Sequence, residues 1–137
     1  MVDNLVEFKA VLEAKLSSFL VDCIILNDEL TIQINVGSVV KCIELLAIDS
    51  DFQFTTLIDI TAVDFPSKPE RFKLVYHLLS MPQNRRIRIT VTIPDGELVP
   101  SIVGLHSSAN WFEREVFDMY GIYFSGHPDL RRLLTDY

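Results

Sequence analysis

Cysteine is scarce in this sequence, with only Cys23 and Cys42 among 137 residues. An iron–sulfur cluster normally takes four thiolates, so the chain is not expected to hold one by itself. Both cysteines lie among apolar neighbours and read as buried reduced thiols in preference to a disulfide or redox pair. Glycine is nearly as sparse. Gly37, Gly96, Gly104, Gly121 and Gly126 never fall in a GxGxxG or Walker spacing, which removes the usual cradles for nicotinamide, flavin and nucleotide phosphates. Positive charge is not in excess either: the formal net charge is −7, which favours solubility and argues against a general nucleic-acid binder. Long apolar runs are missing too. Val21 to Leu26 is broken by Asp22 and Leu74 to Met81 by His77, both far below the roughly 18–20 residues of a membrane span. The opening Met1-Val2-Asp3-Asn4 has neither the basic region nor the apolar stretch of a secretory signal, so a cytosolic compartment is expected. We find no internal repeat, low-complexity segment or linker.

What is present is the material of a core. Hydrophobic residues make up 49% of the chain, which argues against disorder. A domain of this length buries roughly 68–70% of its unfolded surface, so one domain over residues 1–137 is expected, without help from disulfide or metal. Leu5, Phe8, Leu12, Leu16 and Phe19 recur at helical steps with Glu7, Lys9, Glu13 and Lys15 between them, predicting an amphipathic helix from Leu5 to Phe19. Val21 to Leu26, the turn pair Asn27-Asp28 and the alternating Leu30 to Asn35 predict a hairpin. Gly37-Ser38 opens a second helix with Val39, Ile43, Leu46 and Ala47 on one stripe. Strands follow at about 54–63, 72–79 and 86–93. In the last, Ile87, Ile89, Val91 and Ile93 face one way and Arg86, Arg88, Thr90 and Thr92 the other. Phe72 to Leu79 is apolar on both faces apart from Lys73, which predicts a central strand covered on each side, with His77 as a hydrogen-bonded core histidine. Pro100 to Val103 predicts a short helical turn. The order αββαβββα gives an α+β fold, a mixed or antiparallel sheet of about five strands with packed helices.

The last third carries the densest chemistry. Ala109 to Tyr120 reads as a charged, aromatic helix that Gly121 stops in the left-handed C′ position. Ser107, Ser108 and Asn110 are candidate N-caps, and Glu113 stands three residues after Asn110 as in a capping box. Glu113 and Glu115, two apart, point away from one another and cannot converge on one substrate atom. Glu115, Asp118 and His127 could be imagined as metal ligands, but Arg114 can pair with Asp118 at four residues' spacing, and a salt-bridge row is the simpler reading. His106, beside Ser107 and Ser108, has no GxSxG elbow and supports no hydrolase. Trp111, Phe112, Tyr120, Tyr123 and Phe124 offer aromatic anchors, and Arg131 and Arg132 offer charge-assisted pairs, a composition favoured at interface hot spots. A solvated basic chain end is the plainer alternative for the arginines. The same aromatic surface would also suit a homo-oligomeric adaptor.

Glu113-Arg114-Glu115-Val116-Phe117-Asp118-Met119-Tyr120-Gly121-Ile122, continued by Gly126-His127-Pro128-Asp129-Leu130-Arg131-Arg132-Leu133-Leu134-Thr135-Asp136-Tyr137, resembles the signature of the thirty-kilodalton-type subunit of the bacterial proton-translocating NADH:quinone oxidoreductase, respiratory complex I. The strand end Asp59 to Asp64, Tyr76-His77 and Ala109-Asn110-Trp111 also fit it. The resemblance implies a peripheral-arm accessory subunit on the cytoplasmic face of the inner membrane, supporting electron transfer from NADH to quinone coupled to proton translocation. It further implies no redox centre in this chain: NADH, FMN, iron–sulfur clusters and quinone belong to other subunits of the complex. The chief partner it implies is the large hydrogenase-like subunit near the quinone end. By the same resemblance Trp111, Glu113, Arg114, Glu115, Asp118, Gly121, His127, Pro128, Asp129, Arg131 and Arg132 are signature positions for fold closure and contact with neighbouring subunits, with none catalytic and none a cofactor or metal ligand. The family usually runs on past Asp136-Tyr137 into a tail along its neighbour. The segment 121–137 is therefore expected to be a truncated, partner-facing tail. Equivalent subunits occur in membrane-bound hydrogenases and other complex I-like dehydrogenases, and a free-standing metal-dependent enzyme is the reading furthest from these.

Overall fold

Asn27 and Asp28 adopt φ of 53° and 62°. Two successive left-handed residues are what a tight hairpin turn of matching twist demands, and Asn and Asp tolerate them. They join β1 (Leu20–Leu26) to β2 (Glu29–Ile34) as an antiparallel pair. The computed structural model describes residues 5–128. Around the hairpin lie α1 (Leu5–Lys15), a single 3-10 turn (Val36–Ser38), α2 (Val39–Ile48), β3 (Thr56–Asp64), β4 (Phe72–Ser80), β5 (Arg85–Ile93), β6 (Val99–Pro100), α3 (Ala109–Tyr120) and β7 (Phe124–Ser125).

The main sheet has five strands in the order β1-β2-β5-β4-β3. Only the β2–β5 junction is parallel, with Ile32 opposite Ile89, so the sheet is mixed and the fold α+β. Alternation along the strands sends Leu30, Ile32 and Ile34, then Ile87, Ile89 and Val91, and also Leu74, Tyr76 and Leu78, to one face, where none is more than 1% exposed. Phe8 and Leu12 of α1, Val39, Ile43 and Leu46 of α2, and Val116 of α3 join them in one apolar cluster. Cys23 and Cys42 are free and buried, and burial pushes their thiols up to about 11 and about 12, so both stay protonated at neutral pH.

Four expectations are corrected here. The first helix ends at Lys15, short of Phe19: Ser17-Ser18 compete for backbone hydrogen bonds, and Lys15 is drawn to Asp49 at 3.0 Å and Asp51 at 2.6 Å. The third strand starts at Thr56 and not Phe54, because Gln53 turns left-handed (φ 53°) and sends Phe52 and Phe54 edge-on against Phe8, at 5.6 and 6.1 Å. Strand β4 is covered on one face only. Its other phase, Lys73, Val75, His77 and Leu79, points away from the helices, and all but Val75 remain part-exposed. Finally, residues 99–100 are a strand before they are a turn, and β6 pairs in parallel with β7, Val99 opposite Phe124. Among the described residues no helix is long and apolar enough to cross a membrane.

Candidate functional site

Helix α3 is built around an acid that faces inward. Ala109, Glu113 and Val116, spaced four and three apart, form its buried stripe. The helix starts at Ala109, one residue ahead of Asn110, so the expected capping box does not form. Ser108 holds the N-cap position without a side-chain bond, and Glu113 turns into the domain with no exposed surface. There its carboxylate accepts a hydrogen bond from the Ser101 hydroxyl at 2.6 Å and from the Ile102 backbone N–H at 2.9 Å. Burial pushes this carboxyl above the ordinary glutamate range, while Ser101, Ile102 and the His127 ring pull the other way. Tyr76 on β4 adds a buried hydroxyl with no hydrogen-bond partner among the described residues. Burial, and secondarily the nearby Glu113 charge, drive its ionisation upward.

At the far end Gly121 takes φ 71° and ψ 21°, and its N–H closes the helix on the Phe117 carbonyl at 2.8 Å, as the sequence predicts. The chain then doubles back. Val99 N–H donates to the Tyr123 carbonyl at 3.0 Å and Ser101 N–H to the Ser125 carbonyl at 2.9 Å, which places Ile122 and Phe124 in the core. His127 arrives level with the first turn of α3: its Nε2 lies 3.2 Å from the Asn110 carbonyl oxygen and 4.0 Å from the Glu113 carboxylate, with the side chain sealed from solvent. Next to a carbonyl oxygen Nε2 has to be the donor, so it carries a proton.

The outer side of α3 is of another kind. Trp111, Glu115 and Met119 follow one another at four-residue steps and are all exposed, Trp111 by 55% and Met119 by 67%. Tyr123, 55% exposed, stacks edge-on against Phe117 at 5.1 Å. The expected aromatic anchors therefore divide: Trp111 and Tyr123 face outward, Phe112 and Tyr120 are half-buried, and Phe124 is core. Arg114 Nε is buried without a hydrogen-bond partner among the described residues. The imagined metal triad does not assemble, because His127 lies against Glu113 and Asn110 while Glu115 points to solvent. Among the described residues no group of three His, Cys, Asp or Glu could hold an ion. Pro128 is exposed; Asp129, Arg131 and Arg132 lie outside the described residues.

His77 is not a core histidine. On the face of β4 away from the helices, its Nδ1 lies 2.5 Å from Asp59 Oδ1, and Arg88 Nε donates to its Nε2 at 3.2 Å. Arg88 Nη2 lies 3.6 Å from Glu29, so one polar row crosses β3, β4, β5 and β2. Asp59 and Arg88 thus engage both nitrogens of the ring. The row was legible in principle, since His77 alternates with Tyr76 and the outward arginines of β5 share its phase. The partners of Glu113 carried no such signal. His106 is buried, with Nε2 unpaired among the described residues, and burial pushes its pKa down.

The family model described as respiratory-chain NADH dehydrogenase, 30 Kd subunit, matches residues 32–137. The chain belongs to this family. The NADH-quinone oxidoreductase subunit of this type from Ruegeria sp. (strain TM1040) is 51% identical over all 137 residues, which cover 68% of that protein. The protein of the same name from Dinoroseobacter shibae is 53% identical over 137 residues, covering 64% of its length. The chain thus spans about two thirds of these curated relatives. Among solved structures, the trypsin-resistant fragment (1–134) of Nqo5 superposes with a TM-score of 0.72 at 30% identity, covering 88% of this chain and 96% of that one. A chain of the membrane-bound sulfane sulfur reductase, an archaeal respiratory membrane complex, gives a TM-score of 0.81 at 23% identity, covering 95% and 76%. At that identity the second likeness speaks for the fold alone.

Proposed function

We propose that the chain is an accessory subunit of an NADH:quinone oxidoreductase, without a catalytic group or redox cofactor of its own, in the peripheral arm on the cytoplasmic face of the membrane. It docks against the large hydrogenase-like subunit of that complex through the outer side of α3 and the segment from Gly121 onward, with Arg131 and Arg132 contributing charged contacts. The observation that carries this reading is the division of α3. Glu113 ties its inner side into the domain, and its outer side presents Trp111, Met119 and, from the returning chain, Tyr123 to solvent. Large apolar groups at that exposure are what a partner's pocket takes up. The sparse thiols and the lack of a glycine cradle support placing NADH, FMN, iron–sulfur clusters and quinone on other subunits.

Co-expression of the tagged chain with the hydrogenase-like subunit from the same genome, followed by affinity capture and gel filtration, tests this. Co-elution at equal stoichiometry is the expected result. Separate elution of two folded proteins, repeated with a sequence extended to the relatives' full length, would overturn it.

A further inference from the structure

The β6–β7 ladder is two residues on each side. A ladder that short fixes its own register poorly, and a slip of one residue would turn Tyr123 inward and Phe124 to solvent. Burial of Ile122 and Phe124 opposes that slip, and a second restraint acts further along the return. From Asn110 to Gly121 the helix rises about 17 Å at 1.5 Å per residue, and from Gly121 to His127 an extended chain reaches about 20 Å, so the return runs the length of α3. At its end His127 meets both the first turn of the helix and the Glu113 carboxylate. That carboxylate also holds the Ser101 hydroxyl and the Ile102 N–H, immediately beyond β6. Three separate stretches therefore converge on one buried carboxyl group. An apolar residue at position 113 would fill the space, but would leave Ser101 and Ile102 unpaired and give His127 no direction.

We infer that Glu113 is the positioning residue for the returning chain: it registers the 122–127 return against β6 and α3, and so sets where the chain stands at Pro128. The consequence for docking rests on the assembly reading above; the registration does not. Tyr76 from β4 and His127 are the titratable groups facing the carboxylate, with Ser101 and Ile102 as its hydrogen-bond donors.

Amide hydrogen exchange on the 137-residue chain separates registration from plain loop closure. In Glu113→Gln, the amides of Val99 and Ser101, which donate across the β6–β7 ladder, should exchange about tenfold faster or more, while those of Tyr76 and Ile89 in the main sheet keep their rates. Faster exchange confined to the Ile102 amide would reduce Glu113 to a loop anchor and overturn the inference. His127→Gln, which leaves the carboxylate and its two donors in place, keeps the test open if Glu113→Gln fails to fold. It should loosen the Ser101 amide and spare that of Ile102; unchanged rates at both would overturn the inference. Capture of the hydrogenase-like subunit should fall about as far in Glu113→Gln as in the Glu113→Gln/His127→Gln double variant, since the two act as one unit; strictly additive losses would refute it. Failure of the unaltered chain to capture that subunit would count against the assembly reading alone, because the exchange pattern is read without a partner.

Discussion

Tyr76 and Glu113 each place a polar group in the interior, and they differ in how well they are satisfied. Glu113 has its donors; the Tyr76 hydroxyl has none among the described residues. A buried unpaired hydroxyl costs about 1–3 kcal/mol, so Tyr76→Phe should leave stability unchanged or raise it by about 1 kcal/mol in urea unfolding. A loss of that size instead would mean that the hydroxyl is bonded, through internal water or by a group outside the described residues. Glu113 predicts a pH dependence. Its carboxyl titrates above the ordinary glutamate value of 4.5 because burial outweighs its hydrogen bonds, so the folded form holds this proton more tightly than the unfolded form. Its contribution is then fully present below the unfolded pKa and is lost as pH rises through the raised folded value. Glu113→Gln titrates nothing at this position. The stability of the wild type minus that of the variant should therefore shrink as pH rises above the ordinary glutamate value of 4.5, and urea titrations at a series of pH values check it. A widening difference would show a carboxylate better solvated in the fold than in water.

Elements were legible where a local rule sets them. The left-handed Asn27-Asp28 turn, the strict alternation of β5 and the glycine that ends α3 each follow from their own residues. Strands β6 and β7 do not, because two residues carry no periodicity and their pairing joins positions that lie on either side of α3. The same distance hid the partners of Glu113: nothing near residue 113 points to Ser101, whereas Asn110 offered a local and mistaken explanation. The open phase of β4 escapes a reading of that strand alone, because apolar residues on both faces suit a covered strand, while the arginines on the same phase of β5 speak for an uncovered one. Gly121 gives the prediction that belongs at this scale. Among the described residues no atom lies within 4 Å of a Cβ built there, so the cost of Gly121→Ala is backbone strain, about 1 kcal/mol, measurable by chemical unfolding. Gly121→Asn should cost less, since Asn tolerates the left-handed region. Equal and larger losses for both would point to a packing role for this turn.

For the molecule as a whole, the question is how a chain of net charge −7 is held by a neighbour. An apolar contact through Trp111 and a charged one through Arg131 and Arg132 respond differently to salt. Burial of an exposed indole depends little on ionic strength, whereas solvent-accessible pairs are screened beyond about 8 Å at physiological salt. Trp111→Ala should therefore weaken capture of the hydrogenase-like subunit at low and high salt alike, while leaving the isolated fold intact, because the side chain is 55% exposed and outside the core. Reversal of both arginines to glutamate should weaken capture most at low salt. If the arginines are buried at the contact, losing their pairs costs about 2–5 kcal/mol and persists at high salt; at a rim it costs about 0–1 kcal/mol and fades. Titrations of capture against ionic strength for the two variants read these cases apart. A double reversal with no effect at any salt concentration would assign the arginines to a solvated chain end and leave the outer side of α3 as the surface that docks.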